Sequence, residues 1–139
     1  MQRDQKSSRK LARKAILQCI QEGYSVYICP EGTTHIQPQT LEFRPATFHM
    51  AAEHRIPILP VAVEYKDKND AFIGNDTFLP HFIRTFGKWR TVIHLHIGPI
   101  LQGDDGEELL KQCKSWIDDS LAKSQAIFSD KDSNQLNKT

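Results

Sequence analysis

The sequence predicts one α/β layered domain with a largely parallel sheet, and three observations carry that expectation. Helical and strand-like segments alternate along the chain, the pattern of a sheet covered by helices. The most apolar run, Ile56 to Tyr65 (IPILPVAVEY), has the length of a buried strand rather than of a helix. With 139 residues and 39% hydrophobic content, the chain suits a single core.

Each element has a local reason. From Ser7 to Glu22, Leu11, Ala15, Ile16, Cys19 and Ile20 recur at helical spacing, with Ser7 or Ser8 as N-cap and Gly23 as the stop. Tyr24 to Cys29 is β-branched and aromatic and is cut off by Pro30 and Gly32, so it reads as a strand entering a tight loop. A loop over 34–42 leads to Pro45, which suits the first turn of a helix reaching Glu53. In the following strand Pro57 and Pro60 donate no ladder hydrogen bond, so they belong at its start or at a bulge. Beyond a polar loop over 66–76, Thr77 to Phe86 reads as a short helix ended by Gly87. Thr91 to Ile97 alternates, with Ile93, Leu95 and Ile97 on one face and Val92, His94 and His96 on the other. Asp105, with Glu108 three residues on, caps the last helix, whose core face is Leu109, Cys113, Trp116, Ile117 and Leu121. The two regions expected are a folded domain over 1–126 and a flexible polar tail over 127–139.

Composition removes several function classes. A net charge of +1 gives no basis for wholesale nucleic-acid binding. Arg3, Lys6, Arg9, Lys10, Arg13 and Lys14 nevertheless concentrate positive charge in the first helix, a solvated face or a surface for anionic lipid. Cys19, Cys29 and Cys113 are odd in number and widely spaced, which argues against a disulfide framework and for a reducing, cytoplasmic setting. No run reaches the ~18–20 apolar residues of a spanning helix, so membrane contact is expected to be peripheral.

The chemistry-bearing stretch is Cys29-Pro30-Glu31-Gly32-Thr33-Thr34, a carboxylate, a glycine and two hydroxyls past a strand's carboxyl end, where open α/β sheets bind ligands. Gly32 permits close approach of a substrate, Pro30 stiffens the turn, and Glu31 and Thr33 can orient polar groups. Cys29 with His35 is a weak alternative as a thiol nucleophile, since cysteine at an apolar strand end is more often buried and inert. His94 and His96 have metal-pair spacing but lack a third ligand, and a polar sheet face accounts for them better. Trp89 and Trp116 read as core or rim aromatics.

Pro30-Glu31-Gly32-Thr33 resembles the Phe-Pro-Glu-Gly-Thr-Arg motif of the 1-acylglycerol-3-phosphate (lysophospholipid) acyltransferase family. Phe43-Arg44 is similar to that family's Phe-Lys element, Ile56-Pro57-Ile58-Leu59-Pro60-Val61 to its Val-Pro-Ile-x-Pro-Val segment, and Arg3 to the arginine closing an earlier motif. The resemblance covers most of residues 3–100. It implies a glycerolipid acyltransferase-like domain that moves an acyl group from a thioester of coenzyme A or acyl carrier protein to a lysophospholipid or related hydroxyl. It also implies phospholipid biosynthesis at the inner, cytoplasmic membrane surface, no metal and no cofactor beyond the thioester co-substrate. By the resemblance, Glu31, Gly32, Thr33 and Thr34 line the acceptor site, Arg3 and Arg44 contact its phosphate, and Pro57 and Pro60 shape the acyl side.

There are also departures. The family's general base is a histidine with an aspartate five positions on, and none of the six histidines here has one. In the family that motif lies upstream of everything matched, so the resemblance implies an amino-terminally truncated domain with no catalytic residue of its own. Loss of the base is worth ~10²–10⁴-fold in rate, and the isolated chain is expected to be inactive. Thr34 stands where arginine is usual and Cys29 where phenylalanine is usual. The alternative is a non-catalytic remnant that binds a lipid surface or a partner. A domain short of a strand would expose an edge or an apolar face, with low solubility or self-association.

Overall fold

A computed structural model describes residues 2–71 and 77–136, with side chains described at 7–71 and 77–130. The elements in order are α1 (Gln2–Gln21), α2 (Ala46–Glu53), β1 (Val61–Tyr65), a 3-10 turn (Lys68–Asp70), α3 (Phe78–Phe86), β2 (Ile93–Ile97) and α4 (Gly106–Leu136). Among these residues no helix is long and apolar enough to cross a membrane.

The helices follow their local chemistry. Gly23 closes α1 as expected, its N–H bonding the Ile20 carbonyl and that of Tyr24 the Cys19 carbonyl, the paired bonds of a Schellman end. Pro45 precedes α2 with helical dihedrals. Thr77 and Gly87 flank α3, and Pro80 falls in its first turn, where no intrahelical donor is lost. Asp105 caps α4 through Oδ1, which accepts from Glu107 N at 2.8 Å and Glu108 N at 3.2 Å.

The sheet departs from the expected mainly parallel arrangement. Among the described residues it has two strands, and β1 and β2 pair antiparallel with Val61 opposite Ile97, Val63 opposite Leu95 and Tyr65 opposite Ile93. A parallel neighbour needs a helix laid across the sheet. Here α3 instead packs beside the 3-10 turn at the strand end, so the chain comes straight back. Pro57 and Pro60 sit where a missing donor is harmless: both precede β1, on either side of an Ile58–Leu101 bridge whose two N–H···O bonds are 2.8 Å.

Tyr24 to Cys29 is not a strand. Its composition is right, but a strand exists only by pairing, and none of its backbone is laddered; Tyr24 and Tyr27 remain 65% and 79% exposed. Nor does the carboxy-terminal helix stop at residue 126. α4 continues to Leu136 because Phe128 is buried, its ring 4.1 Å from that of His94; residues 72–76 of the expected polar loop and 137–139 of the expected tail lie outside the described residues.

The core lies between α2 and α4. Phe43, Phe48, Ala52, Leu109 and Cys113 form it, with Phe43 and Phe48 stacked at 6.0 Å and Ile58, Leu101, Leu110 and Ile117 around them. Gly106 lets the two helices meet, since a Cβ there would lie 2.7 Å from His49 Cα and 2.8 Å from its backbone nitrogen. Further along, α4 covers one face of the sheet. That face is the polar one: Glu64 is buried, and His96 Nε2 lies 2.7 Å from the buried Ser124 hydroxyl. The apolar side chains Val63, Ile93, Leu95 and Ile97 point to the uncovered side.

Candidate functional site

The turn after residue 29 is built by backbone bonds, Gly32 N to Cys29 O at 3.2 Å and Arg44 N to Pro30 O at 3.0 Å. Arg44 is thereby brought back beside the turn although it is fourteen positions from Pro30. Gly32 has φ +70, and a Cβ there would fall 2.4 Å from the Arg44 guanidinium carbon. The left-handed backbone is what favours glycine here, while the guanidinium, the end of a flexible exposed side chain, rests in the space a Cβ would take.

Glu31 is turned inward. Its side chain is 19% exposed, and Oε2 accepts from Leu41 N at 2.7 Å and faces His35 Nε2 at 2.6 Å. His35 Nδ1 accepts from Gln37 N at 3.0 Å, so the ring proton resides on Nε2 and is donated to Glu31. Both ring nitrogens are therefore committed, and His35 as arranged has no lone pair with which to act as a base. Glu31 and His35 staple the loop to itself, and the carboxylate does not neutralise Arg44. Among the described residues the Arg44 guanidinium has no hydrogen-bond or salt-bridge partner, which leaves its donor fork open to an anion.

The far side of the loop is held to α4. Asp118 Oδ1 accepts from Thr40 N at 2.8 Å and Thr40 Oγ1 at 2.7 Å, while Lys114 Nζ reaches Asp118 Oδ2 at 2.8 Å and lies 5.5 Å over the Phe43 ring. Burial alone would raise the Asp118 carboxyl, but the bonds from Lys114 and Thr40 outweigh it and hold the group below its ordinary value. The anchor spans 78 positions and has no local sequence signature.

Glu31, Gly32, Thr33, Thr34 and Arg44 thus gather at one turn, with the two threonines exposed and Thr33 Oγ1 3.5 Å from the Thr34 carbonyl. Arg3 lies in the first turn of α1, and its side chain is outside the described residues. Pro57 is exposed; Pro60 is fully buried, wedged with Trp116 against Gly98. Cys29 is exposed rather than buried, because its segment pairs with nothing, and its thiol donates to Tyr27 Oη at 3.5 Å. The buried thiol is Cys113, pushed up to about 11 by desolvation. His94 and His96 have Phe128 and Ser124 as neighbours, and among the described residues no three metal-ligating side chains converge.

Sequence reasoning missed a second charged site. A cavity of about 480 Å³ is lined by Lys66, Asp67, Lys68, Asn69, Asp70, Lys88, Arg90 and Val92. Its floor is the buried Asp70 carboxylate, 2.5 Å from Lys88 Nζ. The hydrogen bond and charge of Lys88, with the Asn69 backbone N–H, hold Asp67 below its ordinary value. The only trace in the sequence was a pair of basic clusters about twenty residues apart.

No curated protein and no solved structure matches the chain. Residues 1–64 match the Acyltransferase family, and that stretch contains the Glu31 turn, Arg44, Pro57 and Pro60. The match supports acyltransferase function in general, with an acyl donor and a lipid acceptor. Over residues 1–64, a little under half of its length, this chain is similar to the Acyltransferase family.

Proposed function

We propose that the turn at Glu31 is the acceptor site of an acyltransferase that moves a fatty acyl group from a coenzyme A or acyl carrier protein thioester to a lysophospholipid hydroxyl. The observation that carries this is the disposition of charge. Glu31 is consumed by Leu41 N and His35, so Arg44 presents an uncompensated guanidinium over a glycine that keeps the approach clear. A planar fork of this kind suits the phosphate of a lysolipid, and the exposed Thr33 and Thr34 hydroxyls supply further hydrogen-bonding groups.

Nothing in the turn replaces a general base, since His35 has both nitrogens engaged and no histidine of the chain has an aspartate five positions on. These residues bind and orient the acceptor and do not themselves remove its proton. The isolated chain is therefore expected to bind lysophosphatidic acid without acylating it, in phospholipid synthesis at a membrane surface. Titration calorimetry tests the binding: Arg44→Gln should weaken it by more than about tenfold, the loss expected for hydrogen bonds to a charged group. Equal affinity of the variant and the parent would refute the site. A folded fusion to a segment supplying the histidine–aspartate pair should acylate lysolipids, and its failure to do so would refute the reaction.

A further inference from the structure

α3 is mounted the wrong way round for water. Phe78, Phe82 and Phe86 form a continuous aromatic ladder along it, with ring centroids 5.7 and 4.5 Å apart. They are 73%, 42% and 74% exposed, and Leu79 and Ile83 beside them are 63% and 62% exposed. Its polar residues face inward instead. Arg84 Nε donates to Asn69 O at 3.2 Å and Arg84 Nη2 lies 3.1 Å from His81 Nδ1, so the polar side is seated on the 3-10 turn. Three residues beyond α3, Trp89 stands wholly exposed between Lys88 and Arg90.

The charge beside this ridge is positive. The adjoining cavity is lined by four cations, Lys66, Lys68, Lys88 and Arg90, and two carboxylates, Asp67 and Asp70; with the buried Glu64 paired to Lys68, a formal excess of one positive charge remains. Aromatic side chains next to cations match the two layers of an anionic membrane surface, with the rings among glycerol and upper acyl groups and the cations among phosphates. A second copy of the chain fits less well. It would bring two net-positive cavities together, and protein interfaces deplete lysine from their centres.

We propose that α3 and the Lys88-Trp89-Arg90 turn dock the protein on an anionic lipid bilayer, with Phe78, Phe82, Phe86 and Trp89 entering the interface and the cation-lined cavity facing lipid phosphate. This rests on surface chemistry alone and does not depend on the acyl-transfer reading; lysolipid binding at Arg44 and bilayer docking at α3 are separately measurable.

The test uses vesicles of phosphatidylcholine alone and of an equal mixture with phosphatidylglycerol, and a Trp116→Phe background so that emission reports Trp89. Mixed vesicles should shift that emission to the blue and pellet the chain. The double change Phe82→Ser and Phe86→Ser should weaken binding at least about tenfold, since each buried ring is worth that much in transfer. Arg90→Gln should weaken binding to mixed vesicles and leave the small affinity for neutral ones unchanged. Circular dichroism confirms that each variant is folded. Unshifted Trp89 emission with bound protein would overturn the proposal and assign docking to the basic face of α1. Unchanged vesicle binding by the serine variant, together with loss of self-association in sedimentation, would overturn it in favour of a second copy.

Discussion

At the scale of single residues, the environments of the three thiols are set by packing rather than by neighbours in sequence. Cys113 is 4% exposed beneath Phe43 and Leu109, and desolvation pushes it up to about 11 from 9.0. Cys19 and Cys29 are exposed. Iodoacetamide at mildly alkaline pH should therefore modify two thiols quickly and the third only on unfolding, with mass spectrometry locating the slow one at Cys113; rapid labelling of Cys113 in the folded chain would contradict its burial. The same shift has a sign for stability. The native thiol holds its proton up to about 11 while the unfolded chain releases it near 9.0, so stability declines as pH rises between these values. The site turn shows how far residue-level reading reached. Gly32 and Glu31 were legible because a Pro-Glu-Gly sequence specifies a turn within four residues. The inward rotation of Glu31 was not, because its partners Leu41 and His35 are positioned by the loop as a whole.

At the scale of elements, the loop over 34–42 is only as firm as its tie to α4. Asp118 takes two bonds from Thr40 and one from Lys114, which also donates to the Thr40 carbonyl at 3.1 Å and to Thr40 Oγ1 at 2.6 Å. Asp118→Asn should cost about 1–3 kcal/mol in denaturant unfolding, the range for losing charged hydrogen bonds at a partly buried site. Because the folded carboxyl titrates below 3.8, its contribution is full above that pH and fades as pH falls through the lower folded value. The variant's stability should accordingly fall less steeply in acid, and an unchanged acid slope would show that the tie is not made in solution. Helix ends fixed by local caps, Gly23 after α1 and Asp105 before α4, were read well from the sequence because such caps act within one turn, whereas the start of α1 at Gln2 rather than at Ser7 or Ser8 and the end of α4 at Leu136 were not. Strand pairing was not, because Tyr24 to Cys29 and Val61 to Tyr65 have similar composition and only the second has a partner.

At the scale of the whole molecule, apolar surface is distributed unevenly. The α2–α4 core is closed, but Val63, Ile93, Leu95 and Ile97 are 39%, 46%, 60% and 65% exposed on the uncovered sheet face. A contiguous patch of this kind promotes association in water. Leu95→Lys should reduce aggregation measured by light scattering while shifting stability by no more than about 0.5 kcal/mol, as expected for an exposed position. Aggregation unchanged by this substitution would place the adhesive surface elsewhere.

By themselves the residues determined the four helices, the Glu31 turn, the proline positions before β1 and the acyltransferase resemblance, which residues 1–64 bear out. All of these are written within a few positions, through periodicity, caps and turn chemistry. Only the tertiary structure decided that β2 runs antiparallel to β1, that its histidine face is the covered one, and that Arg44 lies open over Gly32. Alternation along a strand defines two faces but does not choose between them. That choice depends on what α4 offers opposite, and Ser124, Gln125 and Phe128 meet His96, Glu64 and His94 where a wholly apolar helix face would have selected the isoleucines.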